Sequence, residues 1–403
     1  MLSDHCQDEP TIMHLDLNSC FASCEQQANP LLRGKPIAVA AYTTPSGCIL
    51  SPSIEAKIYG VKVGMRVRDG QKLCPLLRVL PPDPEKYRFV NEKLWQLLSP
   101  YTADLKIKSI DEMVLNLKNA PCLPKKSIID IAWEIKNRIR QEIGNWLKVS
   151  IGISTNHFLA KTASNLHKPD GLDLIDKNNI TQVLKQLSLE DLCGIKKNNA
   201  ARLHTVGIFT PLDFYYASPQ RLISGFSSVS GYYWHRRLHG FEIDDFFSEQ
   251  KSYGQSYALP KFITSNEELK KLLCKLVVKM GKRLRDDGMK ARGIHLGCLF
   301  SDATYWHHGK TLAQAICSDL ELYQESVKIL LERPLKLVKN LSVSCFNLEN
   351  RSSEQLSFLH DSSASLTNAI DKINHKWGDF TLTPALMLDM EEKIIDRIAF
   401  GRL

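Results

Sequence analysis

The chain has 403 residues, 43% hydrophobic and 24% charged, enough material for two to four packed domains. No apolar run approaches the roughly 18 residues that span a bilayer, and the opening MLSDHCQDEP lacks the basic-then-apolar order of a secretory signal; with 21 glycines and 18 prolines, membrane, secreted and low-complexity readings are excluded. The net charge of +8, from 52 Lys and Arg against 44 Asp and Glu, permits a polyanionic partner without naming one.

TIMHLDL, residues 11–17, is a short apolar run suited to a buried strand. FASCEQQANP follows as a helix that breaks at Asn29-Pro30. IAVAAY predicts a second strand, and IEAKIYG (54–60) a short helix closed by glycine. Residues 84–99 predict an amphipathic helix carrying Tyr87, Phe89, Val90, Leu94 and Leu97. DLKIKSI and MVLNL predict a hairpin joined through Asp111-Glu112. Residues 128–143 are helical in period, and VSIGIS is a further strand.

From about residue 180 the character changes to short helices: ITQVLKQLS, LEDLCGI, NNAARLHTVGI and PLDFYYAS. SEQKSYGQS, after Phe246, reads as a linker. Beyond it come a basic helix around Lys270–Arg285, the strands IHLGCLF and NLSVSCF, and a helix around Ala369–Trp377. Eleven cysteines lie between Cys6 and Cys345 without a CxxC pair. This pattern fits buried thiols in a reducing cytoplasm, not a disulfide frame or zinc ribbon.

Three carboxylates stand out by position. Asp16 ends the first buried strand, an expensive place for a charge without a partner. Asp111 and Glu112 are adjacent where two apolar strands meet, so the backbone must turn there for both to enter one site. Acids gathered at strand ends raise one another's pKa values, and hard divalent cations reverse that penalty. A hairpin tip whose acids are simply solvated has the same spacing. The pattern alone leaves both readings open.

Four blocks then carry a resemblance. HLDLNSCFASCE (14–25), GCILSPSIEAKIYGVKVGM (47–65), KSIDEMVLNL (108–117) and VSIGISTNHFLAKTASNLHKPDG (149–171) resemble, in order and spacing, the motifs of the Y-family translesion DNA polymerases of the UmuC/DinB type. The match extends from about residue 11 to 348. It implies an α+β multidomain, right-hand polymerase fold. The palm would be 1–27 and 84–175, the fingers 28–83, a thumb with a helix-hairpin-helix 176–243, a linker 244–251, the little finger 252–348, and a C-terminal tail 349–403.

By the same resemblance, Asp16, Asp111 and Glu112 are the catalytic metal ligands, with the backbone carbonyl of Leu17. Two Mg2+ ions held there would activate a primer 3′-hydroxyl and stabilise leaving pyrophosphate. Phe21 matches the steric gate against a ribose 2′-hydroxyl, although its ring would serve equally as core. Lys168 and Ser51 match triphosphate contacts, and Lys57 stands where many relatives carry arginine. Ile54, Asn18 and Cys20 depart from the common tyrosine, acid and aromatic. Asn18, ASCE and EAK are reminiscent of the UmuC branch.

Gly194, Lys196 and Lys197 fall in LCGIKKNNAARLHTVGI, which resembles the thumb's phosphate-gripping hairpin. An ordinary helical turn has the same residues. Lys282, Arg283 and Arg285 lie on the basic helix expected to track a DNA backbone, or to present a solvated face. Gln355-Leu356-Ser357-Phe358-Leu359 is similar to the peptide that docks bacterial polymerases on the sliding clamp. The expected partners are primer-template DNA, deoxynucleoside triphosphates and the clamp, with a monomeric cytoplasmic catalytic subunit acting in DNA repair. Two rivals are a non-catalytic DNA-binding replisome subunit that keeps the fold, and a palm-fold nucleotide cyclase, whose Gly-Gly-acid signature is absent.

Overall fold

The computed structural model describes residues 5–123, 125–244, 250–350, 362–390 and 394. The chain forms two compact units that divide between Phe246 and Phe247.

The first unit begins with β1 (Ile12–Leu17), all six of whose residues are buried. That continuous burial explains why IMHLDL reads as apolar throughout instead of alternating. α1 (Cys20–Ala28) ends at Asn29, whose side chain caps the following turn through the Leu31 amide. β2 (Ile37–Ala40) and β3 (Ile49–Pro52) pair antiparallel. α2 (Ile54–Ile58) is capped by Ser53 and closed by Gly60 at φ +84. α3 (Val67–Leu73) leads to β4 (Arg78–Leu80), which lies parallel to β2. These strands make a three-stranded sheet in the order β3-β2-β4, inside residues 28–83.

α4 (Pro84–Leu98) buries Tyr87, Val90, Leu94 and Leu97 but leaves Phe89 58% exposed. Phe89 follows Tyr87 by two residues, roughly 200° around a helix, and so falls off the apolar stripe. β5 (Leu105–Ile107) and β6 (Glu112–Asn116) form the expected hairpin. α5 (Ile128–Arg138), β7 (Val149–Ser154), α6 (His157–Leu166) and β8 (Leu172–Leu174) complete a five-stranded sheet in the order β5-β6-β1-β7-β8. β1 is antiparallel to both neighbours, with Asp16 opposite Glu112 and Leu17 opposite Val149.

Gly152 lets α6 approach this sheet. A Cβ there would stand 2.0 Å from the Ala160 carbonyl oxygen, so any side chain would push the helix away. α7 (Ile180–Lys185), α8 (Lys197–Thr205), α9 (Pro211–Tyr216), α10 (Pro219–Phe226) and α11 (Ser230–Leu238) follow as short helices around a separate core that includes Leu192, Leu203, Phe214 and Leu222. α10 and α11 were not among the predicted elements.

In the second unit, the residues SYGQS, whose polar composition reads as a linker, belong to a strand. β9 (Ser252–Ile263) includes the polar SYGQS, where Tyr253 and Leu259 are buried and the residues between them are wholly or partly exposed. α12 (Asn266–Asp286), β10 (Met289–Phe300), β11 (Tyr305–Ile316), α13 (Asp319–Leu331) and β12 (Val338–Asn350) build a four-stranded antiparallel sheet, β11-β10-β12-β9, with two helices.

Residues 362–390 and 394 pack on this unit. α14 (Ser362–Trp377) sets Asp371 against Arg285, and Met387, Met390 and Ile394 join the same core as Leu273, Leu276 and Met280. Burial of those large apolar side chains is what fastens the segment. The peptide 355–359 lies outside the described residues. Among the described residues, no helix is long and apolar enough to cross a membrane.

Candidate active site

The last residues of β1 and the first residue of β6 meet because the two strands pair in register, which sets Asp16 beside Glu112. Asp111 sits just before β6, in the turn, and its backbone carbonyl accepts from the Leu17 amide at 2.9 Å. The turn therefore brings two consecutive acids toward one place, as the sequence required. All three line a cavity of about 570 Å³ together with Leu17, Phe21, Ser51, Ile54, Lys57, Lys161 and Lys168.

The acids do not stand alone. Lys161 Nζ, on α6, lies 2.5 Å from Asp16 Oδ2 and 2.7 Å from Glu112 Oε1. Lys168 Nζ lies 2.7 Å from the other Asp16 oxygen. His14 Nε2 is 3.4 Å from Glu112 Oε2, while its buried Nδ1 has no partner among the described residues. Burial pushes the His14 pKa down, so the neutral ring donates from Nε2.

Burial would also raise Glu112, but the His14 hydrogen bond and the Lys161 charge outweigh it and hold the carboxyl at about 2. Asp111 moves the other way. Burial raises it, the Ser109 hydroxyl opposes that, and Asp16 and Glu112 raise it further. Asp111 is thus, among the described residues, the acid of the three without a paired cation. Among the described residues, no three His, Cys, Asp or Glu side chains converge closely enough to chelate an ion by themselves.

Lys161 was missed in the sequence. Its signal is a single charge in HFLAKTASNL, whose other positions are buried except Asn165 and the half-buried Leu166. Burial would lower its pKa, and Asp16 and Glu112 instead raise it. Lys57 is pushed down, by burial first and then by the Lys168 charge. Two lysines that repel across a cavity leave a position suited to a polyanion.

Phe21 is 2% exposed and stacks on Tyr87 with ring centroids 4.5 Å apart and 13° between planes. Tyr87 is in turn fixed by its hydroxyl, which donates to Glu25 at 2.9 Å. The ring is both core and cavity wall, so neither expectation for it displaces the other. Ser51 is buried on β3, and its Oγ accepts from the Ala22 amide at 3.4 Å. Ile54 opens α2 at the cavity edge. Cys20 and Cys24 are buried thiols on α1, and their hydrogen bond, with burial, carries Cys20 well above the usual thiol range.

The loop bearing Lys168 is tied to α5. Lys136 Nζ is 2.8 Å from Asp170 Oδ1, and Arg140 is 2.7 Å from the other oxygen. Burial raises the Asp170 pKa, and the Lys136 and Arg140 contacts reverse that and lower it. A carboxyl lowered in the folded state stabilises it above the unfolded pKa of roughly 4 and loses that contribution as pH falls through the folded value. The stability difference between wild type and Asp170→Asn should therefore be flat from pH 7 to about 5 and shrink below about pH 4. Chemical denaturation across that range measures it.

Gly194 takes φ +86 in the exposed turn before α8, where a Cβ would stand 3.0 Å from the Trp234 ring. Lys196 caps that turn on the Glu190 carbonyl at 3.3 Å, and Lys197 begins the helix. In the second unit the basic helix departs from expectation. Arg285 is 2% exposed in its side chain and is 2.7 Å from Asp319 and 2.6 Å from Asp371. Lys282 is paired with Asp379. Lys275 and Lys279 donate to the carbonyls of Met390 and Ile394. These spacings place the four cations on one helix face, and the C-terminal segment covers it. Arg285 is therefore an internal ion and not a DNA contact, and Lys282 is engaged within its own unit. Arg283 lies outside this set, over the Tyr253 ring.

Comparison with known proteins identifies the family. The impB/mucB/samB family matches residues 15–165 and its C-terminal domain residues 250–358. Relatives include a protein called DNA polymerase IV of Bacteroides fragilis, 30% identical over 84% of this chain and 93% of its own. A second of that name, from Alkaliphilus oremlandii, is 29% identical over 94% of this chain and 99% of its own. A Y-family DNA polymerase chimera of Dbh and Dpo4 has the same fold, with a TM-score of 0.73, 23% identity, and coverage of 83% of this chain and 98% of that one. Sequence blocks, domain matches and fold converge: the chain belongs to the Y family of translesion DNA polymerases.

Proposed function

We propose that the cavity is the nucleotidyl-transfer centre of a template-directed DNA polymerase that copies past damaged template with low fidelity. The observation that carries this is the gathering of Asp16, Asp111 and Glu112 at adjoining strand ends, with Lys57, Lys161 and Lys168 lining the same nucleotide-sized cavity. The donor set fits a hard divalent cation: oxygen ligands only, one carboxyl crowded upward by its neighbours, and a lysine ammonium already lying between the other two. Asp16, Asp111, Glu112 and the Leu17 carbonyl would hold two Mg2+ ions. When bound, these supply charge neutralisation and Lewis acidity at the transferring phosphoryl group.

The protein's own residues do the rest. Lys168 and Lys57 meet the triphosphate as point charges, and Ser51 offers a hydroxyl at its edge. Phe21, held flat by Tyr87, fills the space that a 2′-hydroxyl needs. Removing that overlap should recover about 1–3 kcal/mol for a ribonucleotide. Phe21→Val is therefore expected to improve ribonucleotide over deoxynucleotide incorporation roughly 10- to 100-fold, read as the ratio of kcat/KM values.

The turn at Gly194, Lys196 and Lys197 grips a DNA phosphate, and exposed cations of the second unit, Arg283 among them, add salt-sensitive affinity for primer-template DNA. In domain terms, 1–27 and 84–175 form the palm, 28–83 the fingers, 176–243 the thumb and 252–348 the little finger. Residues 355–359 serve as a sliding-clamp peptide on a monomeric, cytoplasmic catalytic subunit.

Primer extension with deoxynucleotides and Mg2+ on abasic and undamaged templates tests the reading. Normal DNA affinity with no incorporation, in Mg2+ and in Mn2+, would establish the non-catalytic subunit instead.

A further inference from the structure

Lys168 stands on a short loop, Lys168–Gly171, that follows α6. Asp170 adopts φ +62, a left-handed conformation that a non-glycine residue holds only when its surroundings over-determine it. They do. Its amide donates to Asn18 Oδ1 at 2.7 Å, its carbonyl accepts from Lys136 Nζ at 2.6 Å, and both carboxylate oxygens meet cations. The next amide, of Gly171, donates to Ser150 Oγ at 3.2 Å, and that hydroxyl donates to the same Asn18 Oδ1 at 3.2 Å.

Two of these partners are costly. Lys136 is 1% exposed in its side chain, and beyond Asp170 its ammonium donates to the carbonyls of Gly171 at 3.0 Å and Val149 at 2.9 Å. A buried ammonium satisfied by backbone carbonyls from two segments stitches the loop to the edge of β7. Asn18 is 4% exposed and works in both directions. Its oxygen takes the two donors just named, while its Nδ2 donates to the Asp16 carbonyl at 3.3 Å. Only a carboxamide can accept from the loop and donate to β1 at once, and an acid at this position could not. It would also add a charge beside Asp16 and Asp111.

We propose that Asn18, Asp170 and Lys136 are positioning residues that fix the Lys168 ammonium relative to Asp16, and through it the incoming triphosphate. The inference rests on the reading of Lys168 as a phosphate contact. It makes Asn18 a working feature of this chain. The rigid connection from Asp16 through Asn18 to Asp170 sets the distance between the acids and the phosphate-binding charge, and a shift of about 1 Å in such a distance costs up to 10²-fold.

The test measures nucleotide affinity without chemistry, as the Kd of the next deoxynucleotide for the full-length protein on a dideoxy-terminated primer-template with Mg2+. Asn18→Ala, Lys168→Ala and their combination form a double-mutant cycle. Asn18→Ala should weaken nucleotide binding about 10- to 100-fold while primer-template affinity stays within twofold of wild type. It should add little further loss in the Lys168→Ala background.

Asn18→Asp, which keeps the acceptor and removes the donor, should fall between wild type and Asn18→Ala. It serves as the folded comparison if Asn18→Ala does not fold. Additive losses in the cycle would overturn the positioning role while leaving Lys168 as a phosphate contact. If Lys168→Ala left nucleotide affinity unchanged, the reading beneath the proposal would fall, and the proposal with it.

Discussion

Asp111→Ala combined with Glu112→Ala is expected to abolish primer extension, lowering kcat by at least about 10³-fold, with primer-template affinity retained. The expected size follows from what preorganised charge supplies at a transferring phosphoryl group, where losing even one donor to developing charge costs roughly 10²–10³-fold. Among the described residues Asp111 has neighbouring acids and no paired ammonium, and Glu112 is held ionised at about 2 by His14 and Lys161. Asp111 is therefore placed to take up positive charge from outside the chain, beside a Glu112 that is already ionised. Folding should survive, since both carboxyls line the cavity and not the core. Single-turnover incorporation, with thermal melting as the folding control, checks both halves. Residual extension within about tenfold of wild type would remove these acids from the centre of the reaction.

The second large effect concerns stability. Arg285→Met should destabilise the second unit by about 3–5 kcal/mol, because it leaves Asp319 and Asp371 facing one another without their shared guanidinium. It also removes the donor to the Cys317 carbonyl at 2.9 Å. The salt dependence of DNA binding by the still-folded fraction should keep its slope, since an internal ion releases no counterions from a phosphate. Denaturant unfolding and a salt titration separate the two outcomes. A reduced slope with unchanged stability would return Arg285 to the surface role that the basic run suggested.

Substantial parts of the fold were legible because burial leaves a period. β1 and β7 are buried along their whole length and read as unbroken apolar runs. α4 and α5 carry stripes at helical spacing. β9 and β11 were not legible, and for a clear reason. β11 is an edge strand with most residues exposed, and β9 buries little besides Tyr253 and Leu259, so neither imposes alternation on its sequence. In the C-terminal segment only the helix was legible. Its polar opening concealed that Met387, Met390 and Ile394 are core.

The three acids, Phe21 and Lys168 were picked out as candidates by the sequence itself, because motif order and residue chemistry do not depend on knowing who touches whom. Pairing was decided only in three dimensions. Lys161 and Lys136 look like solvated helix lysines until α6 and α5 are laid against the sheet. Arg285 looks like one more cation in a basic run until Asp319 and Asp371 arrive from 34 and 86 residues away. A charge's role depends on its counter-charge and its burial, and both are long-range properties that composition and spacing do not carry. The net charge of +8 is the clearest instance. The total permitted a polyanion, but in the cavity Lys57, Lys161 and Lys168 are matched by Asp16, Asp111 and Glu112, and Lys282 and Arg285 are spent on acids inside the second unit.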